Sequence, residues 1–521
     1  MDDLLTTPPA PSVLAGAVVI DELAALGVTD IVCCPGSRSA PLAYAAAAAE
    51  QRGGLRLHMR LDERGAAFYA LGIAKATNRA VAVVTTSGTA VANLAPALAE
   101  ARYARVPLIA VTADRPATLL GTGANQTADQ VGIFGPLPLA VIRIAAHELK
   151  PQAWRSALRR AVVTAEGRLT LRPGPVHVNV ELGEPLVGEP GPLPPGVPFR
   201  VTAQSPPWAV SLDPGRRTVI VAGDLPPDTG RWWAEAAERA QIPLLAEPSS
   251  NARRGGAAIA GYRYLLPGFA PAVERVVVAG HPTLSRPVMA LLGRTDAEII
   301  AVDASGEWPD PGWAVSQVVP AVALAPGDPK WLDRWTGADR RFRRHVEADP
   351  DWSGEAVAAR VLRGLGERDA LVLGSSSPVR DADLAPIQAR PPAVYANRGL
   401  AGIDGLIATT TGVAAGRGQP VVGLIGDLTA LHDVSSLARP RFEPEPAVTL
   451  VVADDQGGSI FTGLEMGAPR SQIGELAEHA HPRVDIRHGR QAGGVLLQKR
   501  IVGIFRAQKH VQLLIAHRQN R

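Results

Sequence analysis

"IVCCPGSRSAPLA", Ile31 to Ala43, is an apolar run that breaks into Gly-Ser-Arg-Ser and then enters an Ala-rich, helix-forming segment. A short β-type run, a polar turn and a helix make the repeating unit of an open α/β sheet, and such sheets bind ligands beyond the carboxyl ends of their strands. Arg38, with Ser37 beside it, therefore stands where an anion would be held.

The same grammar recurs along the chain and organises it into three blocks. The first has further strand candidates at Ala80–Thr86, Val106–Ala113 and Pro175–Leu182. The second has Thr218–Asp224, Ile242–Glu247, Val273–Gly280 and Ala297–Ser305, with no evident acid or base cluster. The third has Ala370–Ser377, Pro420–Asp427 and Ala447–Asp455. Nine prolines from Pro185 to Pro214 read as an extended linker. The expected fold class is α/β, with three successive open parallel-sheet domains at 1–184, 218–345 and 346–470, a Pro-rich linker at 185–217, and an atypical basic tail at 471–521.

At 521 residues and 46% apolar composition, the chain suits about three globular domains. The acidic start "MDDLLTTPPAP" has no basic n-region, and no uninterrupted apolar run is long enough to span a bilayer, so a cytoplasmic protein without membrane insertion is expected. Cys33 and Cys34, the only cysteines, offer neither a disulfide framework nor a metal pattern and read as buried small hydrophobes. The net charge of +3 hides an asymmetry: Ile486 to Arg521 holds eight Lys/Arg and no acid, leaving 45 bases against 50 acids before it. The body therefore carries no basic footprint for nucleic acid. The tail lacks a strong amphipathic register, and an aberrant reading frame is the preferred account of it, with a divergent partner-binding tail the alternative.

The chemistry concentrates in the third block. "GLIGDLTALHD" is followed, 27 residues after Gly426, by "ADDQGGSIF". One Gly-Asp after a strand reads as an ordinary turn. Two acidic strand ends at this spacing, with a Gly-rich turn, suit a divalent metal and a diphosphate, for which Asp427, Asp455 and the Gly457 carbonyl offer three oxygens. In the first block Glu63 opens the amphipathic segment "ERGAAFYALGIAKAT"; on that pattern alone it merely complements a helix dipole. In "TTSGTAVAN", Ser87 or Thr89 is expected to cap a helix. The histidines show no metal spacing, and His432 reads as structural.

Gly-Asp-x, a gap of two dozen residues and a paired Asn/Asp resemble the diphosphate motif of thiamine-diphosphate enzymes. "PGSRSAPLA", "DERGAAFYALG", "TTSGTAVANLAPALAEA", "TADRPATLLGTGANQT" and "NRGLAGIDGLIATTTG" together resemble the 2-succinyl-5-enolpyruvyl-6-hydroxy-3-cyclohexene-1-carboxylate synthases of menaquinone biosynthesis. The likeness runs from about residue 12 to about 468; it is thin in the second block, where only "GHPTLSRP" matches, and absent beyond about Arg470.

The resemblance implies pyrimidine-binding, middle and diphosphate-binding domains, with thiamine diphosphate and Mg²⁺ (or Mn²⁺) as cofactors. It implies decarboxylation of 2-oxoglutarate and addition of the succinyl unit to isochorismate. It further implies that Glu63 bonds the aminopyrimidine, that Gln126 serves catalysis and substrate binding, and that Gly426, Asp427, Asp455 and Gly457 hold the diphosphate and metal. Substrate carboxylates fall to Ser37, Arg38, Arg115, Gln126, Ser376, Arg380 and Arg398, since guanidinium groups bind carboxylates bidentately. A homodimer or homotetramer with active sites between subunits is implied. Asp455 departs from the Asn usual in the family. Alternatives are another thiamine-diphosphate 2-oxo acid decarboxylase, an acetolactate-type synthase, or a non-catalytic relative.

Overall fold

The computed structural model describes residues 10–204, 208–346, 353–438, 440, 443–444, 446–455, 505–507 and 511–517. The chain divides into two compact units. The first comprises Met1–Ser205, Asp404–Gly418 and Asp433–Pro446; the second comprises Pro206–Ile403, Gln419–His432 and Ala447–Arg521.

The first unit is built on six strands, β1 (Asp30–Cys33), β2 (Arg56–Met59), β3 (Val81–Thr85), β4 (Leu108–Asp114), β5 (Val141–Ala145) and β6 (Pro175–Glu181). They lie in the order β2-β1-β3-β4-β6-β5, and every pair is parallel. Strands covered on both faces read as continuous apolar runs, which is why β1, β3, β4 and β6 were legible. Cys33 packs into one core and Cys34, just beyond the strand's end, into the other. On the second face, Phe68, Leu71 and Ile73 of the helix Glu63–Thr77 are buried, each stabilising the fold by about 1.5–3 kcal/mol.

The helix Leu406–Arg417 belongs to this unit, although its neighbours in sequence do not. It lies directly on Glu63–Thr77, so close that a Cβ at Gly412 would stand 2.1 Å from the Tyr69 carbonyl oxygen. The Pro-rich linker is likewise tied down: Gln152, Arg155 and Arg159 of the helix Pro151–Ala165 donate to the carbonyls of Pro195, Pro194 and Val197 at 2.9, 3.0 and 2.7 Å.

In the second unit β8 (Thr218–Ala222), β9 (Leu244–Ala246), β10 (Arg275–Ala279), β11 (Glu298–Val302) and β12 (Val315–Val319) form a parallel sheet in the order β12-β11-β10-β8-β9. A small pair, β7 (Val210–Ser211) and β13 (Val322–Ala323), accompanies it. The remaining sheet runs β15-β14-β16-β17-β19-β18, from β14 (Ala370–Leu373), β15 (Ala393–Ala396), β16 (Val421–Gly426), β17 (Val448–Asp454), β18 (Phe505–Ala507) and β19 (Val511–His517). The tail therefore does not stand apart from the α/β fold: β19 pairs in parallel with β17, and β18 is antiparallel to β19. "VQLLIAH" is a short apolar run of the kind that enters a parallel sheet.

All three large sheets share one wiring. The first strand is flanked by the second on one side and the third on the other, which places a topological switch point between β1 and β3, between β8 and β10, and between β14 and β16. The middle crevice is closed by its own backbone. Asp224 and His281 exchange hydrogen bonds at 3.2 and 3.3 Å, and a Cβ at Gly223 would stand 2.0 Å from the Pro282 nitrogen.

Candidate active site

The switch point between β14 and β16 opens into a cavity of about 630 Å³ lined by Ser376, Arg380, Arg398, Gly426, Asp427, Thr429 and Asp455, with His281 and Thr283 from the middle sheet. Ser376 is the N-cap residue of the helix Ser377–Ala382. One helical turn later Arg380 folds back, its Nη1 donating to the Ser376 carbonyl at 3.0 Å. Ser375 is engaged elsewhere, donating to the Asn397 carbonyl at 2.7 Å.

Arg398 follows β15 and is 3% exposed. Its Nη2 donates to Thr283 Oγ1 at 2.6 Å, while its Nη1 is buried without a hydrogen-bond partner. Burial, then Arg398 and Arg263, hold the Arg380 guanidinium below its ordinary value. Two neighbouring cations in a cavity, one with an orphaned donor, make a site that an anionic ligand would stabilise.

The opposite wall is acidic. Asp427 directly follows β16, and its Oδ1 accepts from the Leu428 N–H at 2.7 Å. Burial, then the charges of Asp455 and Asp454, push its carboxyl up to about 6. The strands pair Gly426 with Ala453, so these acids come from adjacent strand ends. Such crowding favours a bound cation, and Mg²⁺ is commonly held by one or two carboxylates together with phosphate oxygens. Gly457 lies outside the described residues, and among those described no three His, Cys, Asp or Glu side chains form a metal-holding group.

The surroundings also fit a diphosphate. The space that a Cβ at Gly426 would fill lies 3.4 Å from Ser376 Oγ and 3.9 Å from Thr429 Oγ1, and Thr429 Oγ1 is buried without a hydrogen-bond partner. His432 is exposed and does not line the cavity.

The first unit carries the other group of expected residues. Glu63 opens its helix behind the N-cap Asp62, whose side chain accepts from Arg64 N and Gly65 N. Burial, then the nearby Glu63 carboxylate, raise the Cys34 thiol well above its usual range, which places Glu63 beside the end of β1. Arg38 donates to the Leu182 carbonyl at 2.9 Å, and its buried Nε has no hydrogen-bond partner. Burial and the adjacent Arg115 hold the Arg38 guanidinium below its ordinary value. Arg115 Nη1 donates to Ser87 Oγ at 2.5 Å and to the Gln126 carbonyl at 2.8 Å. Ser37 and Gln126 are exposed at this edge.

The expected Ser87 or Thr89 cap is not formed. Gly88 is the N-cap residue of Thr89–Ala92, with no side-chain cap, because Ser87 is turned to Arg115.

Residues 14–133 match the family described as "Thiamine pyrophosphate enzyme, N-terminal TPP binding domain". The chain is 47% identical over 485 residues to a 2-succinyl-5-enolpyruvyl-6-hydroxy-3-cyclohexene-1-carboxylate synthase of Kineococcus radiotolerans, covering 87% of this chain and 85% of the relative. A synthase of the same description from Nocardioides sp. is 46% identical over 489 residues, covering 89% and 86%. One from Mycobacterium marinum is 42% identical over 486 residues, covering 88% and 87%. This chain belongs to the 2-succinyl-5-enolpyruvyl-6-hydroxy-3-cyclohexene-1-carboxylate synthase family.

Beside the cavity of this synthase-family chain lies a buried cluster that no local sequence pattern announces. Glu247 follows β9 and Asp383 follows the Arg380 helix; Tyr262 donates to Asp383 at 2.8 Å, and Arg253 and Arg263 approach the same carboxylate at 3.5 and 3.7 Å. The middle block thus does contribute to a cluster of acids and bases, correcting the expectation that it holds no such cluster. They escaped notice because the partners of Asp383 lie more than a hundred residues away in sequence and those of Glu247 lie 36 and 37 residues away. Adjacent acids and bases would have been needed to reveal them.

Proposed function

We propose that this chain catalyses the thiamine-diphosphate-dependent decarboxylation of 2-oxoglutarate and the addition of the resulting succinyl unit to isochorismate. The observation that carries this reading is the meeting, in one cavity, of an acidic wall suited to a metal-bound diphosphate and a paired-arginine wall suited to carboxylates. Thiamine diphosphate, when bound, supplies the electron sink that decarboxylation of a 2-oxo acid requires.

Asp427 and Asp455 would hold Mg²⁺ or Mn²⁺, with the Gly457 carbonyl the third protein oxygen. Gly426, Ser376 and Thr429 would border the diphosphate. Glu63 would exchange a hydrogen-bonded proton with the aminopyrimidine ring, the general acid–base role that the family assigns to this glutamate. Arg380 and Arg398 would anchor one substrate's carboxylates in the second unit. Arg38 and Arg115, with Ser37 and Gln126 at the same edge, would meet carboxylates in the first. Because each unit carries part of the chemistry, we propose a homodimer or homotetramer in which a complete site draws on two subunits, working in the cytoplasm.

The test supplies purified protein with thiamine diphosphate, Mg²⁺ and both substrates, and follows CO₂ release and isochorismate loss together. Stoichiometric loss of both is expected. CO₂ release with isochorismate untouched would replace the synthase reading with a simple decarboxylase.

A further inference from the structure

Glu247 is fully buried, yet no chemistry proposed above uses it. It stands one residue beyond β9, and its Oε1 accepts from the backbone N–H groups of Thr283 and Leu284 at 2.9 and 2.7 Å. Its Oε2 is buried without a hydrogen-bond partner. Thr283 in turn accepts from Arg398 Nη2 at 2.6 Å; Arg398 lines the cavity, and its Nη1 is buried without a hydrogen-bond partner.

The relay is continuous: a carboxyl from the middle sheet fixes a turn, the turn fixes a hydroxyl, and the hydroxyl fixes one arm of a guanidinium. A side chain as long as arginine loses much rotamer freedom when it is held, so a single prearranged partner decides where its free arm points. Burying a carboxyl is costly, and burial is the leading cause that pushes Glu247 up to about 8. A fold needing only a stable turn would be better served by an apolar or amide side chain there.

We infer that Glu247 is a positioning residue for substrate recognition: through Thr283 it orients Arg398 so that its guanidinium stands in the cavity lining and receives a substrate carboxylate. This rests on the reading of the cavity as a carboxylate site. It assigns the middle sheet, whose own crevice is closed, a part in substrate recognition.

The experiment measures kcat and both substrate KM values, with melting temperature, for Glu247→Ala, Thr283→Val, Arg398→Ala and the Glu247→Ala/Arg398→Ala double variant. Glu247→Ala and Thr283→Val are each expected to raise one KM by about tenfold or more, as loss of a supporting contact commonly does, with the other KM little changed. Glu247→Gln, which keeps the accepting oxygen, should restore that KM to within about threefold of the parent. The double variant should be no worse than Arg398→Ala alone, since the two residues act in series. If Arg398→Ala raises a KM while Thr283→Val and the folded Glu247→Ala protein leave it unchanged, the positioning role is overturned and the cavity reading stands. If Arg398→Ala changes neither KM, the cavity reading itself fails and this inference falls with it. Equal movement of both KM values together with a lowered melting temperature would assign Glu247 a structural role only.

Discussion

The middle sheet and the sheet that follows it have the same wiring, yet one crevice is filled by its own backbone and the other holds a cavity of about 630 Å³. After β8 and β10 the chain places Gly223-Asp224 against His281-Pro282, two turns that satisfy each other's hydrogen bonds. After β14 and β16 it places serine hydroxyls and Asp427, side chains that face an open space. The lesson is that a switch point is only a location; the residues immediately past the strands decide whether it binds anything.

The largest effect is expected in the first unit. Glu63→Gln is expected to lower kcat by roughly 10²–10⁴-fold, the usual scale for loss of general acid–base catalysis, while thiamine diphosphate remains bound. Unchanged turnover, in the coupled assay of CO₂ and isochorismate, would remove Glu63 from the chemistry. Arg38→Ala should raise a substrate KM by about ten- to a hundredfold, the scale of a lost charged hydrogen bond of about 1.5–3 kcal/mol. Its steady-state dependence on each substrate shows which carboxylate is involved.

The closed crevice should answer to packing alone. Gly223→Ala drives a methyl group onto the His281–Pro282 backbone and is expected to destabilise by about 1–3 kcal/mol, read by denaturant unfolding.

A smaller effect sharpens the contrast between the units through pH. Burial lowers His177, in β6, from 6.5 to about 4, so its contribution to stability is complete above pH 6.5 and is lost as pH falls through 4. Glu247 is raised from 4.5 to about 8; its contribution is complete below pH 4.5 and is lost as pH rises through 8. Glu247→Gln should flatten only the alkaline decline and His177→Gln only the acid one, as read from melting temperature across that range.

Much of this architecture was legible because buried parallel strands announce themselves as apolar runs. Among the strands that escaped, Arg56–Met59 and Val141–Ala145 are largely half-exposed edge strands with charged residues and Ala393–Ala396 has only four residues, whereas Val511–His517 carries the apolar signal and escaped because the tail reads as standing apart from the fold. The spacing from Gly426 to the second acidic strand end was legible because adjacent parallel strands keep a fixed register, which brings Asp427 and Asp455 to one cavity. Arg380 and Ser376 were legible through the resemblance to the family, the Ser-x-x-x-Arg spacing serving to choose Ser376 among three serines. The relay from Glu247 to Arg398 was not, since it joins residues from three separate turns and no local pattern encodes it. Nor did local sequence show that Leu406–Arg417 packs in the first unit; its Thr- and Gly-rich surface acquires meaning only against Gly72 and Tyr69.

The most direct test of the central claim is calorimetric titration of thiamine diphosphate with Mg²⁺ into the parent protein, Asp427→Asn and Asp224→Asn, which place the same change at the open and closed switch points. Asp427→Asn should weaken binding by about 10–100-fold and Asp224→Asn should leave it unaltered. Equal affinity in all three proteins, or equal loss in both variants, would contradict the assignment of the cofactor to the β14–β16 crevice.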